Sequence, residues 1–440
     1  MKFKSVAAAL LAAVTCVSMA ACGSGGDTNA DGKVEITMWH NSTTGDGKAY
    51  WESAAKAFEK ENPNVTIKIE AIQNEDMDGK LQTALQDPNS APDIFMARGG
   101  QKLRDVVEAG QAMDLTDKIS DTVKNQMATA EATGTIDGKI YSVQQSVLPG
   151  GIWYSKDLFE KAGITETPKT WDEFFALGDK VKDIDGRALF TYQGIYPGYM
   201  EEMLWPAIAN ECGEEALTKI ANYEEGSFNN EGVLKALSHI KEIADKGYLL
   251  EGTVGMNHTE SQTEMMLGKA AFITNGTWME NEMQDAPRED GFEFAMAPIP
   301  TENADDVHYV FDSCEQFSIP AAAKNPELAK EFLRFLYSDE SVSAFAEASG
   351  ALYATKSARE VAKDKLSTAI YNMYGIYEEA NASSLIMSFA AVPADCKVNP
   401  KDEIFNPITS VMNDEMTVEE WAQNVEDAFA QVRADMEAAN

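Results

Sequence analysis

The 440-residue chain has few of the residues from which covalent, metal and catalytic centres are built, with 5 cysteines and 4 histidines. Cys212, Cys314 and Cys396 are too far apart for a zinc knuckle, and His40, His239, His258 and His308 lack the HExxH or Cys-His spacing of a zinc site. There is no GxSxG elbow, no GxxxxGK[ST] phosphate loop and no GxGxxG fingerprint, which removes the signatures of serine hydrolases, P-loop NTPases and dinucleotide enzymes. Residues 27–32 imitate half a calcium loop, but Met38 stands where the bidentate Glu belongs. No catalytic residue, metal or cofactor is therefore expected. Positive charge is scarce as well: 36 Lys and Arg against 72 Asp and Glu give −36, a field that repels nucleic acid and anionic lipid. The acids are scattered, as on a solvated surface.

The N-terminus carries a different signal. Lys2 and Lys4 precede an apolar run over 6–17, too short to span a bilayer core of about 30 Å, and Ser18-Met19-Ala20-Ala21 places small residues before Cys22. Residues 1–22 resemble the signal peptide and lipobox of bacterial lipoproteins, with Met19 where Leu is more usual. The resemblance implies leader removal, a net charge of −38 once Lys2 and Lys4 are lost, and diacylglycerol on Cys22. Residues 23–32 (GSGGDTNADG) have nothing to bury and form a flexible tether. In an oxidising space the three remaining cysteines allow either one disulfide with one free thiol or three reduced thiols.

A globular body starts at Lys33. Its length, a hydrophobic content of 44% and the absence of a later apolar run near 18 residues indicate a two-lobed body that does not cross the membrane. Alternation over 34–39, helical spacing of Trp51, Ala54, Ala55 and Phe58, a second alternating run over 65–70, a helix near 79–85 and an apolar run over 91–96 read strand, helix, strand, helix, strand. That rhythm predicts an α/β fold with mostly parallel sheets, and a ligand crevice at the carboxyl ends of the strands, near loops 39–47 and 97–101. Past Tyr141 the chain is more helical: Ser155 and Thr170 are N-caps, Gly163 is a stop, and helical patterns return over 263–266, 326–336 and 418–436.

Aromatic rings beside polar and glycine loops are the chemistry that remains. A pyranose needs an indole or phenol face for its C–H groups and Asp, Asn, Gln, His or backbone groups for its hydroxyls. Trp39-His40-Asn41, Tyr192, Tyr196 and Tyr199 near Trp205, and Asn275-Gly276-Thr277-Trp278 offer that pairing. Trp51, Trp153, Trp171 and Trp421 sit inside helix or strand patterns and read as core. Trp205 and Trp278 read as loop residues facing ligand, and Trp39 fits either role.

From Lys33 onward the chain resembles the family 1 extracellular solute-binding proteins, the carbohydrate-capturing lipoprotein subunits of ABC importers related to maltose-binding proteins. The likeness runs in order through residues 34–39, 62–65, 91–95, 152–159, 204–206, 268–272, 275–278, 298–300 and 325–333. It implies a two-lobe periplasmic-binding-protein fold, with 33–143 plus 298–335 as the N-terminal lobe and 144–297 plus 336–440 as the C-terminal lobe. Crossings are then expected near 144–148, 296–300 and 335–339, with sugar in the cleft. The implied ligand residues are Trp39, His40, Asn41, Arg98, Gln145, Tyr192, Trp205, Asn275, Gly276, Trp278, Phe389 and Asp395. The implied partners are a neutral oligosaccharide and the permease subunits, with a monomer held on the outer face of the cytoplasmic membrane through Cys22. Segments 39–50, 73–76 and 98–100 resemble a subgroup that takes short plant oligosaccharides, with xylo- or arabinoxylo-oligosaccharides ahead of raffinose-type α-galactosides. The rival readings are a secreted glycoside hydrolase or lyase, and a peptide-binding or adhesive lipoprotein.

Overall fold

The computed structural model describes residues 32–43, 45–72, 74–97, 101–117, 119, 134–184, 186–378, 381–387, 389–390, 392–393 and 396–439. Cys22, Arg98 and Asp395 lie outside them. The first half follows the expected rhythm: β1 (Val34–His40), α1 (Gly45–Glu61), β2 (Val65–Ala71), α2 (Asn74–Ala84), β3 (Ile94–Ala97) and α3 (Gln101–Glu108). Both β2 and β3 pair with β1 in parallel, as short helical crossovers require. The period of two in β1 turns Ile36, Met38 and His40 inward, while Tyr50, Trp51, Ala54, Ala55 and Phe58 form the buried stripe of α1.

The second half begins within β4 (Ser142–Ser155) and contains α4 (Trp171–Lys182), β5 (Ala188–Thr191), α5 (Glu201–Cys212), α6 (Glu231–Asp245), β6 (Ala270–Gly276) and β7 (Phe294–Ala297). The predicted caps are present. Ser155 accepts from the Leu158 N–H, and Thr170 and Glu173 form a reciprocal capping box at the start of α4. Then follow β8 (His308–Ser318), α7 (Pro326–Leu336), α8 (Asp339–Ser349), β9 (Leu352–Tyr353), α9 (Thr368–Tyr374), β10 (Ala382–Leu385), α10 (Pro400–Phe405) and α11 (Val418–Ala439).

Ten strands join in one curled sheet of order β2-β1-β3-β8-β4-β6-β5, with β7 and β9 also on β4 and β10 on β8. Residues 142–149 of β4 pair with β8, whereas residues 150–155 of the same strand pair with β6 and β7. In turn β8 holds β3 at one end and β10 at the other. These two strands therefore run through both halves of the molecule.

One hydrophobic core lies under α4, α5, α6 and α11 and includes Trp171, Trp205, Phe228, Trp421 and Phe429. Another joins Trp51, Phe58, Phe332 and Phe345 to Trp153, Ile273 and Met373. Helix α8 meets α1 in that core, with Phe345 edge-on to Tyr50 at 5.1 Å. Cys212, Cys314 and Cys396 form no disulfide among the described residues, which leaves the reduced alternative.

The C-terminal helix α11 is fastened at two points. Trp421 donates its indole N–H to the Ile404 carbonyl at 2.8 Å, and buried Glu426 accepts from the backbone N–H groups of Gly226, Phe228 and Asn229 at 3.1, 2.5 and 3.2 Å. Removing that carboxylate strands three donors. Glu426→Ala is expected to lower unfolding free energy by on the order of 3 kcal/mol in urea melts, with ligand affinity unchanged.

Candidate functional site

A strand buried on both faces is ordinarily a run of Val, Ile and Leu. The through-strands break that rule. Ser142, Gln144, Gln145 and Ser146 on β4, with Asp312, Gln316 and Ser318 on β8, are all at most 2% exposed. Burying such groups costs free energy unless they are hydrogen-bonded, so each partner counts. Ser142 donates to Gln316 Oε1 at 2.8 Å, and Tyr374 donates to the Val147 carbonyl at 2.6 Å. Asp312 accepts from the hydroxyls of Tyr377 and Ser384, and burial holds its carboxyl well above the usual carboxylate range.

The carboxyl end of β1 delivers His40 and Asn41 beside this belt. Asn41 Nδ2 donates to Glu315 Oε1 on β8 at 2.8 Å. His40 is buried because it holds an inward position of the alternating strand, and burial lowers its pKa from 6.5 to about 4. Nδ1 accepts from the Ser42 N–H at 3.0 Å, which puts the proton of the neutral ring on Nε2, a buried donor with no protein partner among the described residues. Trp39, on the opposite face, is half-buried against Phe95 and Leu103.

From the other half come β6 and the residues after it. Asn275 accepts from the Gly276 N–H through Oδ1 at 3.0 Å, while its fully buried Nδ2 meets no protein acceptor among the described residues. Gly276 pairs with Gly150 of β4, and a Cβ on Gly276 would stand 1.9 Å from the ring of half-buried Trp278. A Cβ on Gly150 would stand 2.6 Å from Cγ of Glu202. The paired glycines thus let an indole and the stem of Glu202 approach the backbone where β4 passes from one half to the other. Tyr192, fully buried after β5, and Gln193, which donates to the Thr274 carbonyl at 3.3 Å, flank β6.

Of the expected ligand residues, Asn41, Gln145, Asn275, Gly276 and Trp278 gather around the through-strands, with His40 at the end of β1 and Tyr192 after β5 beside β6. Trp39, on the other face of β1, and two further residues do not. Trp205 is no loop residue: it lies inside α5, fully buried, edge-on to Phe405 at 5.4 Å. Pro206 lies inside α5 and costs it one backbone hydrogen bond, yet every residue from 202 to 209 is buried, so the indole joins the core. Phe389 packs 6.1 Å from both Trp205 and Tyr223. Glu202, Gln144 and Asp312 escaped the sequence reading, since one acid or amide in an apolar stretch carries no periodic signal.

Elsewhere, donor atoms of Glu211, His239 and Glu302 lie within 4.8 Å of one another. The Lys235 ammonium stands 3.1 and 3.0 Å from the two carboxylates and already serves as their cation.

The profile of the family described as bacterial extracellular solute-binding protein matches residues 41–343. The chain belongs to that family. The maltodextrin-binding protein MdxE of Bacillus subtilis is 25% identical over 386 residues, covering 83% of this chain and 85% of MdxE. RafE from Streptococcus pneumoniae superposes with a TM-score of 0.76 at 19% identity, over 92% of this chain and 100% of RafE. A structure from a study of xylan utilization by Caldanaerobius polysaccharolyticus superposes at 0.72 with 19% identity, over 90% and 99%. The shared architecture is the two-lobe periplasmic-binding-protein fold, and among the described residues no helix is long and apolar enough to cross a membrane.

The buried neutral His40 makes stability depend on pH. Its folded pKa lies below the unfolded value of 6.5, so the unfolded chain takes up the proton first and stability is lost as pH falls from about 6.5 towards 4. The slope is up to about 1.4 kcal/mol per pH unit. His40→Gln is expected to flatten the difference between urea melts at pH 7 and pH 5.

Proposed function

We propose that this protein captures short plant-derived oligosaccharides outside the cell and hands them to the permease of an ABC importer. The observation that carries the reading is the buried polar belt on two strands shared by both halves, with Trp278 lying against the Gly150–Gly276 pair beside it. An indole face suits the C–H side of a pyranose, and the unpartnered His40 Nε2 and Asn275 Nδ2 suit its hydroxyls. Xylo- or arabinoxylo-oligosaccharides lead, then raffinose-type α-galactosides. The xylan-utilization neighbour supports the first, while MdxE, named as a maltodextrin-binding protein, keeps α-glucans in the test panel.

The lobes are 33–143 plus 298–335 and 144–297 plus 336–440. Sugar contacts from both lobes exist when the cleft is shut, so ligand favours closure by its differential affinity, and the permease senses the closed form. The protein works as a monomer and leaves its cargo unchanged. Membership of a solute-binding family supports binding over the hydrolase or lyase reading.

Calorimetry with xylotriose, an arabinoxylotriose, raffinose, maltotriose and diacetylchitobiose tests the reading, and no binding to any of them would sink it. Trp278→Ala is expected to weaken the preferred sugar tenfold or more, since ring stacking contributes on the order of 1 kcal/mol beyond area burial and 1.4 kcal/mol is a factor of ten. Trp205→Ala, which hollows the core, is expected to lower the melting temperature more than affinity.

The anchor is the diacylglyceryl group on Cys22. Cys22→Ser should release the protein into the medium or leave its leader uncleaved. An unacylated N-terminus elsewhere in the wild type, by mass spectrometry, would refute it.

A further inference from the structure

Glu202 occupies the first turn of α5, 2% exposed, and its Oε2 meets no hydrogen-bond donor among the described residues. Other buried acids are provided for: Asp312 has two hydroxyl donors and Glu426 three backbone N–H groups. Its position is also particular. Glu202 Cβ and Cγ lie 2.9 and 2.6 Å from where a Gly150 Cβ would stand, against the same glycine pair that carries the Trp278 ring. The stem of a carboxylic acid and an indole therefore flank one patch of backbone where β4 passes from one half to the other.

The charged neighbours do not neutralise it. Burial, with Glu201 preceding it, holds the Glu202 carboxyl well above the usual carboxylate range; Lys401 on α10 opposes this, but its ammonium sits 2.7 Å from Glu201 Oε2. Tyr199 before α5 feels the same acids, and burial raises its hydroxyl to about 12. From the strands, Gly150 of β4 lies against the Glu202 stem, the Phe311 carbonyl of β8 is 3.2 Å from the same Cβ position, and Asp312 next to Phe311 is already engaged. Without ligand, burial thus biases Glu202 towards its protonated form, and its Oε2 is engaged by no donor among the described residues.

We propose that Glu202 is the anchoring carboxylate of the sugar site: it accepts hydrogen bonds from a pair of ring hydroxyls and releases its own proton to solvent as they bind. The proposal rests on the oligosaccharide-binding reading. Two hydroxyl donors stabilise the ionised carboxyl that burial alone disfavours, so the complex holds one proton fewer than the free protein and sugar. Affinity then rises with pH until the ligand-free carboxyl itself ionises. A neutral sugar with adjacent free hydroxyls fits, and one lacking either hydroxyl loses the bidentate contact.

The test is calorimetry with xylotriose, and with raffinose and maltotriose in parallel, in two buffers of unlike ionisation enthalpy at one pH. Wild type should release up to one proton per bound sugar. Glu202→Gln, which keeps the shape, should bind tenfold or more weakly with no proton exchange and should melt no earlier than wild type. Glu202→Asp, which keeps the acid on a shorter stem, should retain proton release at intermediate affinity, and so checks the role even if the amide variant folds poorly. Wild type that binds sugar without proton release, or a Gln variant equal to it in affinity and proton release, overturns the proposal while leaving sugar binding intact. Wild type that binds none of the three, and neither the arabinoxylotriose nor diacetylchitobiose, overturns the binding reading and this inference with it.

Discussion

The backbone pairing of β4 with β8 is the constraint on which the rest depends. Each strand belongs to both halves of the molecule, so the sheet is continuous through the junction, and each must hydrogen-bond to different neighbours at its two ends. The bulge between Glu315 and Gln316 breaks the register where the pairing of β8 changes hands. Polar side chains tolerate that irregular geometry because they can satisfy one another across it, as Ser142 and Gln316 do. An apolar belt would seal the junction; a polar one leaves hydrogen-bonding capacity for something to use.

The electrostatics follow a related logic. The surface carries the excess of acid, where water screens it, while the interior at the junction stays close to neutral. Burial keeps His40 uncharged and raises the carboxyls of Asp312 and Glu202. A polar, partly desolvated wall of oriented donors and acceptors suits a neutral, polyhydroxylated ligand.

Rigidity is distributed to match. The second half is closed around Trp421 and Glu426, which draw α11 back onto the loop near residue 228, and α8 is locked to α1 through Phe345. The Trp421 and Glu426 fastenings join elements of the second half to one another, whereas the Phe345–Tyr50 contact ties the last segment of the chain to the first half.

Much was legible in the amino-acid order because it is local. Alternation set β1 and β2, and Ser155 and Thr170 capped their helices as read, since each signal involves residues within a turn or a strand length of one another. The loop at Asn275-Gly276-Trp278 was visible for the same reason, and the burial of His40 follows from the parity of β1. The role of Trp205 was not, because flanking residues did not show that every face of α5 is covered. Nor could local order reveal that β8 runs through the junction, that Gly150 meets Gly276, or that Glu202 rests against them, since those contacts join residues 52 to 176 positions apart. The sequence by itself determined the local elements and the parallel pairing of β1 with β2 and β3, while the pairings through the junction are antiparallel; the tertiary structure alone decided which elements meet, because burial and the partners left to a polar atom are properties of the assembled sheet and not of any segment of it.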